Sequence, residues 1–190
     1  MYLEGSFQNR LDWACASIDL SSIARGYATL DAMVKRATVK IDFAKAVSTG
    51  RFVIILSGEI AELDESYLMA LEVGSSCVLD HVSLSRPHWQ LTRAMRSAGN
   101  YPLGQSAFIA EFNTVSSTLL AADIALKACD LHLGSLTLAK GIGAKGFFVA
   151  HGELCDIEAA RVIVENNISQ ERIVALEIIA NPHPEIAGLF

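Results

Sequence analysis

The chain repeats itself. LDAMVKRATV, from Leu30 to Val39, matches AADIALKACDL, from Ala121 to Leu131, with Asp31 on Asp123 and Lys35 on Lys127 at a shift of 92 residues. RFVIILSGEI then matches KGFFVAHGEL, with Gly58-Glu59 on Gly152-Glu153 at a shift of 94, and SRPH at 85–88 meets ANPH at 180–183 at a shift of 95. Three anchors in one order with so little drift mark a duplicated half-chain. Each half of the 190 residues is therefore a unit that must close its own core and can also bury surface against its twin.

Periodicity gives both halves the same element order. ACASIDL (14–20) has strand composition, and Ile23, Tyr27, Leu30, Val34 and Ala37 recur at helical spacing behind Ser21-Ser22, a helix-starting pair. Val39, Ile41 and Phe43 alternate as a strand, VSTG (47–50) turns, and FVIIL (52–56) returns, which is a β-hairpin. A second helix is expected from Ile60 to about Cys77, with Glu62, Asp64 and Glu65 near its positive end, followed by the strand VLDHVSLS (78–85). The second half repeats this with AFIAEF (107–112), helices over about 115–129 and 154–168, a hairpin over 131–150 and IVALEIIA (173–180). The order β-α-β-β-α-β predicts an α+β class: two tandem ferredoxin-like domains, each an antiparallel sheet with both helices on one face. RSAGNYPLGQS (96–106) reads as the linker, which divides the chain into 1–100, with a short N-terminal extension, and 101–190.

Composition narrows the function. Hydrophobic residues make up 52% and charged residues 19%, with mean hydropathy +0.35, more apolar than an ordinary monomer and suited to large subunit interfaces. A net charge of −6 without a basic run argues against nucleic acid or an anionic membrane surface as partner. The N-terminal segment has no signal-peptide pattern, and no run approaches the roughly 18 apolar residues of a membrane span, so a cytosolic chain is expected. Cys15, Cys77, Cys129 and Cys155 form no CxxC pair or zinc spacing and are expected to be small buried residues. No GxSxG, HExxH or P-loop occurs, in keeping with a protein that is not an enzyme.

LDAMVKRA, VSTGR, SGEI and SRPH in the first half, and AADIALKA, GIGAKG, HGEL and ANPH in the second, resemble the bacterial microcompartment shell domain. The resemblance spans nearly the whole chain and is unpermuted in both copies, which is similar to the propanediol-utilisation type of tandem shell protein. It implies a homotrimer whose six domains form a pseudohexagonal tile in the shell inside the bacterial cytoplasm. Partners would be other copies, other shell proteins and small metabolites crossing a central pore. On this resemblance Ser48, Thr49, Gly50, Gly141, Ile142, Gly143 and Ala144 occupy the pore loops, with Lys45, Arg51, Lys140 and Lys145 flanking them. Lys35, Lys127 and Arg86 occupy tile-edge positions, and Asn181 replaces the arginine in the second copy.

Related tandem proteins hold a pore iron-sulfur cluster through a cysteine in the first loop, where this chain has Ser48. A hydroxyl stays protonated near neutrality and binds such clusters poorly, so no cofactor and no metal are expected. Gly141 to Gly146 also satisfies GxGxxG, but FFVA follows where a dinucleotide site needs a helix N-terminus, so the motif reads as a hairpin tip. Charge around a narrow opening would favour anionic metabolites, whereas lysines at hairpin ends are equally at home as solvated residues. His88 and His183 recur after proline without ligand partners and read as structural. A trimeric ligand-binding regulatory module of the same fold is the alternative function, and an enzyme on the scaffold is a third.

Overall fold

The computed structural model describes residues 14–96, 106–139 and 141–187. The expected domain boundary near Asn100 and the loop residue Lys140 lie outside them. β1 (Ala14–Leu20), α1 (Ile23–Arg36), β2 (Lys40–Val47), β3 (Arg51–Gly58), α2 (Ile60–Gly74) and β4 (Val78–Leu84) form the first unit, and α3 (Trp89–Arg96) follows it. The second unit comprises β5 (Ser106–Phe112), α4 (Val115–Ala128), β6 (His132–Leu138), β7 (Gly146–Gly152), α5 (Leu154–Asn167) and β8 (Ile173–Ala180), with α6 (Pro184–Ala187) after it. The sheets are antiparallel with orders β2-β3-β1-β4 and β6-β7-β5-β8, the expected ferredoxin-like arrangement twice.

Local chemistry is duplicated along with the sequence. Ser22 and Thr114 both cap the first helix of their unit, accepting from the N–H of Arg25 and of Ser117 at 3.3 Å. Register shifts recur at Ile41/Phe43 and Leu133/Ser135, and again at Asp19/Leu20 and Glu111/Phe112, so even the sheet irregularities are copied.

Strand alternation sends the two faces of the first sheet into different cores. Ala14, Ala16, Ile18 and Leu20 of β1, with Phe52, Ile54 and Leu56 of β3, pack under Met33 of α1 and Leu63 and Ala70 of α2. Cys15, Val53, Ile55, Val82 and Leu84 point the other way and join a second core with Leu119, Ala122 and Leu126 of α4. β1 is therefore buried along its whole length. Each fully buried aliphatic side chain contributes about 1.5–3 kcal/mol, so this shared core fuses the two units into one body.

Three expectations are corrected. The second helix ends at Gly74, because Ser75 turns at φ 45 into a 3-10 turn over Ser75–Cys77. α3 occupies part of what reads as loop and linker; it buries Leu91 and Met95 in the second core, and Gln90 bonds the Leu131 carbonyl and the Leu133 N–H at 2.8 Å each. Only Cys15 is fully buried: Cys77 and Cys129 are half-buried and Cys155 is exposed at the start of α5.

Candidate functional site

The two hairpin tips are built from small residues because the backbone there needs left-handed conformations. Thr49 and Gly50 adopt φ 72 and 75, and Gly141 and Gly143 adopt 72 and 76. Ser48, Thr49 and Gly50 are exposed, as is Gly141, while Ile142 and Gly143 are partly so. The tips are neighbours in space: a methyl placed on Gly143 would lie 4.0 Å from Cγ2 of Thr49. Ala144 is 3% exposed, so its side chain packs inside the chain.

The flanking cations divide. Lys45 is exposed. Arg51 donates from Nη1 to the Asn113 carbonyl at 2.8 Å, which holds its charge at the contact between the units. Lys145 pairs with Glu111 at 3.0 Å. Lys145 is thus charge-paired within the chain, while Arg51 keeps its charge but is tethered to a carbonyl.

The seam between the units is polar at both ends of α4. At its N-terminus Asp19, buried on β1, accepts from Val115 N–H at 3.1 Å, from Ser116 N–H at 2.9 Å and from Ser116 Oγ at 2.6 Å. With its one proton given to the carboxylate, Ser116 Oγ accepts from Ser17 Oγ at 3.1 Å. Asp80 accepts from Thr114 Oγ1 and, at 2.5 Å, from Ser117 Oγ. Burial pushes the Asp19 carboxyl up to about 6, against the pull of its hydrogen bonds to Ser116 and Val115. One turn from the other end, buried Asp123 accepts from His88 N–H at 2.6 Å and from Lys127 Nζ at 2.5 Å.

His88 also caps α3, its Nδ1 accepting from Gln90 N–H at 3.4 Å, and His183 does the same for Glu185 at 3.3 Å. Both histidines are structural in this sense. Lys35 pairs with Asp31 on the open face of α1 at 2.6 Å. Arg86 is exposed beside a cleft of about 540 Å³ that Glu59, Ile60 and Ala61 also line. The seam carboxylates Asp19 and Asp80 were missed in the sequence, where nothing in the motifs marks them.

The duplicated fold with paired hairpin tips now has a counterpart among known proteins. The BMC domain model matches residues 14–87 and again 109–182. The chain belongs to the BMC-domain family. It is a tandem BMC-domain shell protein of a bacterial microcompartment. It is 26% identical over 171 residues to the bacterial microcompartment shell protein PduT of Citrobacter freundii, covering 90% of this chain and 93% of that one. A microcompartment protein from Desulfitobacterium hafniense superposes with a TM-score of 0.77 at 27% identity, covering 92% of this chain and 97% of the other. A fused permuted hexameric shell protein from the RMM microcompartment shares the fold, with a TM-score of 0.63 at 18% identity over 87% of each chain.

An iron-sulfur cluster held by the first hairpin does not fit this BMC-domain chain. The tip offers only hydroxyls at Ser48 and Thr49, and the four cysteines lie on or beside β1, β4, α4 and α5, away from it.

Proposed function

We propose that three copies of this shell protein close into a ring of six BMC domains, with the hairpin tips around a central opening for small metabolites. The observation that carries the reading is the unequal fate of two equivalent helices. Ile23, Tyr27 and Val34 of α1 are 38%, 60% and 38% exposed, whereas their counterparts on α4, Val115, Leu119 and Leu126, are 0%, 0% and 6% exposed against the first sheet. The outer face of the second sheet, with Ile109 and Glu111 on β5 and Glu177 on β8, has no such helix among the described residues. One copy thus carries one made joint and the two halves of an unmade one. A head-to-tail contact of this kind, repeated, closes into a ring when its rotation permits.

Because the chain carries two different tips, such an opening would alternate Ser48-Thr49-Gly50 with Gly141-Ile142-Gly143. Such tiles would pack with one another and with other shell proteins, Lys35, Lys127 and Arg86 lying at the edges. Mass measurement combined with electron microscopy of the purified protein, alone and with single-domain shell proteins, tests the reading. Three-copy particles with hexagonal outline that enter sheets or shells are expected. Discrete particles that never enter sheets and that bind a small ligand saturably would instead favour a regulatory module.

A further inference from the structure

The joint inside the chain is a template for the joint between copies, and the repeat says which atoms take part. This inference rests on the ring reading and goes beyond it by naming the contacts. Within the chain, the first unit offers the Asp19 carboxylate, the Arg51 guanidinium and the His88 N–H; the second offers the first-turn N–H groups of α4, the Asn113 carbonyl and the Asp123 carboxylate. The sheet registers and anchor motifs place Glu111 at the position of Asp19, Lys145 at that of Arg51 and His183 at that of His88. They likewise place Ile23 and Ala24 at Val115 and Ser116, Ser21 at Asn113, and Asp31 at Asp123. Each of these backbone and charged groups has a chemically competent counterpart on the half of the joint that the chain leaves open, whereas the Ser116 hydroxyl, replaced by Ala24, has none.

We propose that Glu111 of one copy caps α1 of the next at Ile23 and Ala24, while His183 N–H of the first donates to Asp31 of the second and Lys145 reaches the Ser21 carbonyl. An α-helix leaves its first N–H groups without partners inside the helix, and a carboxylate there also meets the positive end of the helix dipole. His183 is prepared for its role, because it already holds the same capping turn as His88.

One exchange makes the second joint different in kind. Inside the chain, Ser117 Oγ meets the Asp80 carboxylate. Between copies the counterpart of Ser117 is Arg25, and the counterpart of Asp80, set by the strand registers, is Ala175. The carboxylates on that face of the second sheet are Glu111 and Glu177, the latter two residues beyond Ala175 on exposed β8 positions. A cation on α1 therefore faces an acidic sheet, and an ion pair takes the place of the hydroxyl-carboxylate bond. The internal joint is fixed by covalent linkage and buried hydrogen bonds, while the joint between copies carries opposite charges and so can be screened by salt.

The test is sedimentation velocity or native mass spectrometry of the full chain over a range of concentration and salt. E111R and R25E are each expected to raise the concentration for half-assembly at least tenfold, the pair E111R/R25E to recover the ion-pair part of the loss but not the part due to the cap, since an arginine cannot accept from the Ile23 and Ala24 N–H groups, and D31A to weaken assembly several-fold. Thermal unfolding followed by circular dichroism checks that each variant keeps its fold; the Glu111–Lys145 pair is exposed enough that E111Q, which removes the charge without reversing it, leaves the fold intact. A wild-type protein that never forms three-copy particles overturns the ring. Wild-type trimers that E111Q, E111R, R25E and D31A leave unchanged overturn this joint and spare the ring. Single variants that weaken assembly without rescue in the double overturn the Arg25–Glu111 pairing.

Discussion

Gly26 lies directly under the Phe52 ring: a methyl built on Gly26 would sit 2.4 Å from Cγ of Phe52. The second unit solves the same contact with the sizes exchanged, since Thr118 stands at the position of Gly26 and presses on Gly146, at the position of Phe52. The helix-to-sheet distance is thus held by one large and one small partner in both copies. Gly26→Ala is expected to destabilise the protein by about 1–3 kcal/mol, the usual range for overpacking, despite alanine's better helix propensity. In a Phe52→Ala background the same change should cost far less. A chemical-denaturation double-mutant cycle measures the coupling, and additive costs would show that the ring does not set the spacing.

Asp19 ties the two units together by capping α4 from the other sheet. Because burial raises its carboxyl from 3.8 to about 6, the folded protein holds this proton more tightly than the unfolded chain does. Its contribution is therefore most favourable below about pH 4 and is lost as pH rises through 6, where the seam carboxyl is half ionised. Asp19→Asn cannot ionise, so the stability difference between wild type and variant should change by on the order of 3 kcal/mol between pH 4 and 7, in favour of wild type at the acid end. Asp19→Ala strands the Val115 and Ser116 N–H groups and should cost about 2–4 kcal/mol at neutral pH. Urea titrations at several pH values decide both; a pH-independent difference for Asp19→Asn would place the proton elsewhere.

Gln90 makes α3 part of the second unit. Its side chain bonds one carbonyl and one N–H of the segment around β6 at 2.8 Å each, mimicking a strand partner at a sheet edge. Gln90→Ala leaves the Leu131 carbonyl and the Leu133 N–H without that partner and is expected to cost about 2–4 kcal/mol. Hydrogen exchange should then quicken at Leu133 and along α3 more than in the first core, which a purely global loss of stability would not do.

The two units were legible in the sequence because each is held by local periodicity: Ile23 to Val34 on α1 and the alternation of Val39, Ile41 and Phe43 need only near neighbours to be recognised. The cap at Ser22 was equally visible. What joins the units was not. Asp19 and Ser116 are 97 positions apart, and an aspartate within a strand carries no mark of the helix it will cap. α3 escaped for the same reason, since Leu91 and Met95 form too short a stripe to announce a helix that exists by docking on β6. The hairpin tips were marked through a family motif, and the burial of Ala144 depends on how the second hairpin folds back, which a run of glycines leaves open.

The four thiols make a final probe of how the molecule is assembled. Cys15 sits between the sheet and α4, where burial first, then the negative charges of Asp123 and Asp42, push its thiol up to about 12. Only the thiolate reacts, so Cys15 is protected both by access and by protonation. Cys129, where burial also raises the thiol, is intermediate, and Cys155 lies exposed at the start of α5. With a thiol-specific disulfide reagent at pH 8, Cys155 is expected to label first and Cys15 only on the timescale of unfolding or of parting of the two units. Mass mapping of the labelled peptides with time gives the order. Asp19→Ala, which loosens the seam beside Cys15, should accelerate labelling of Cys15 by tenfold or more, the factor that roughly 1.4 kcal/mol of lost seam stability implies, and leave Cys155 unchanged. Rapid labelling of Cys15 in the intact wild type would mean that the units part readily in solution, and the shared core would then not hold them as one body.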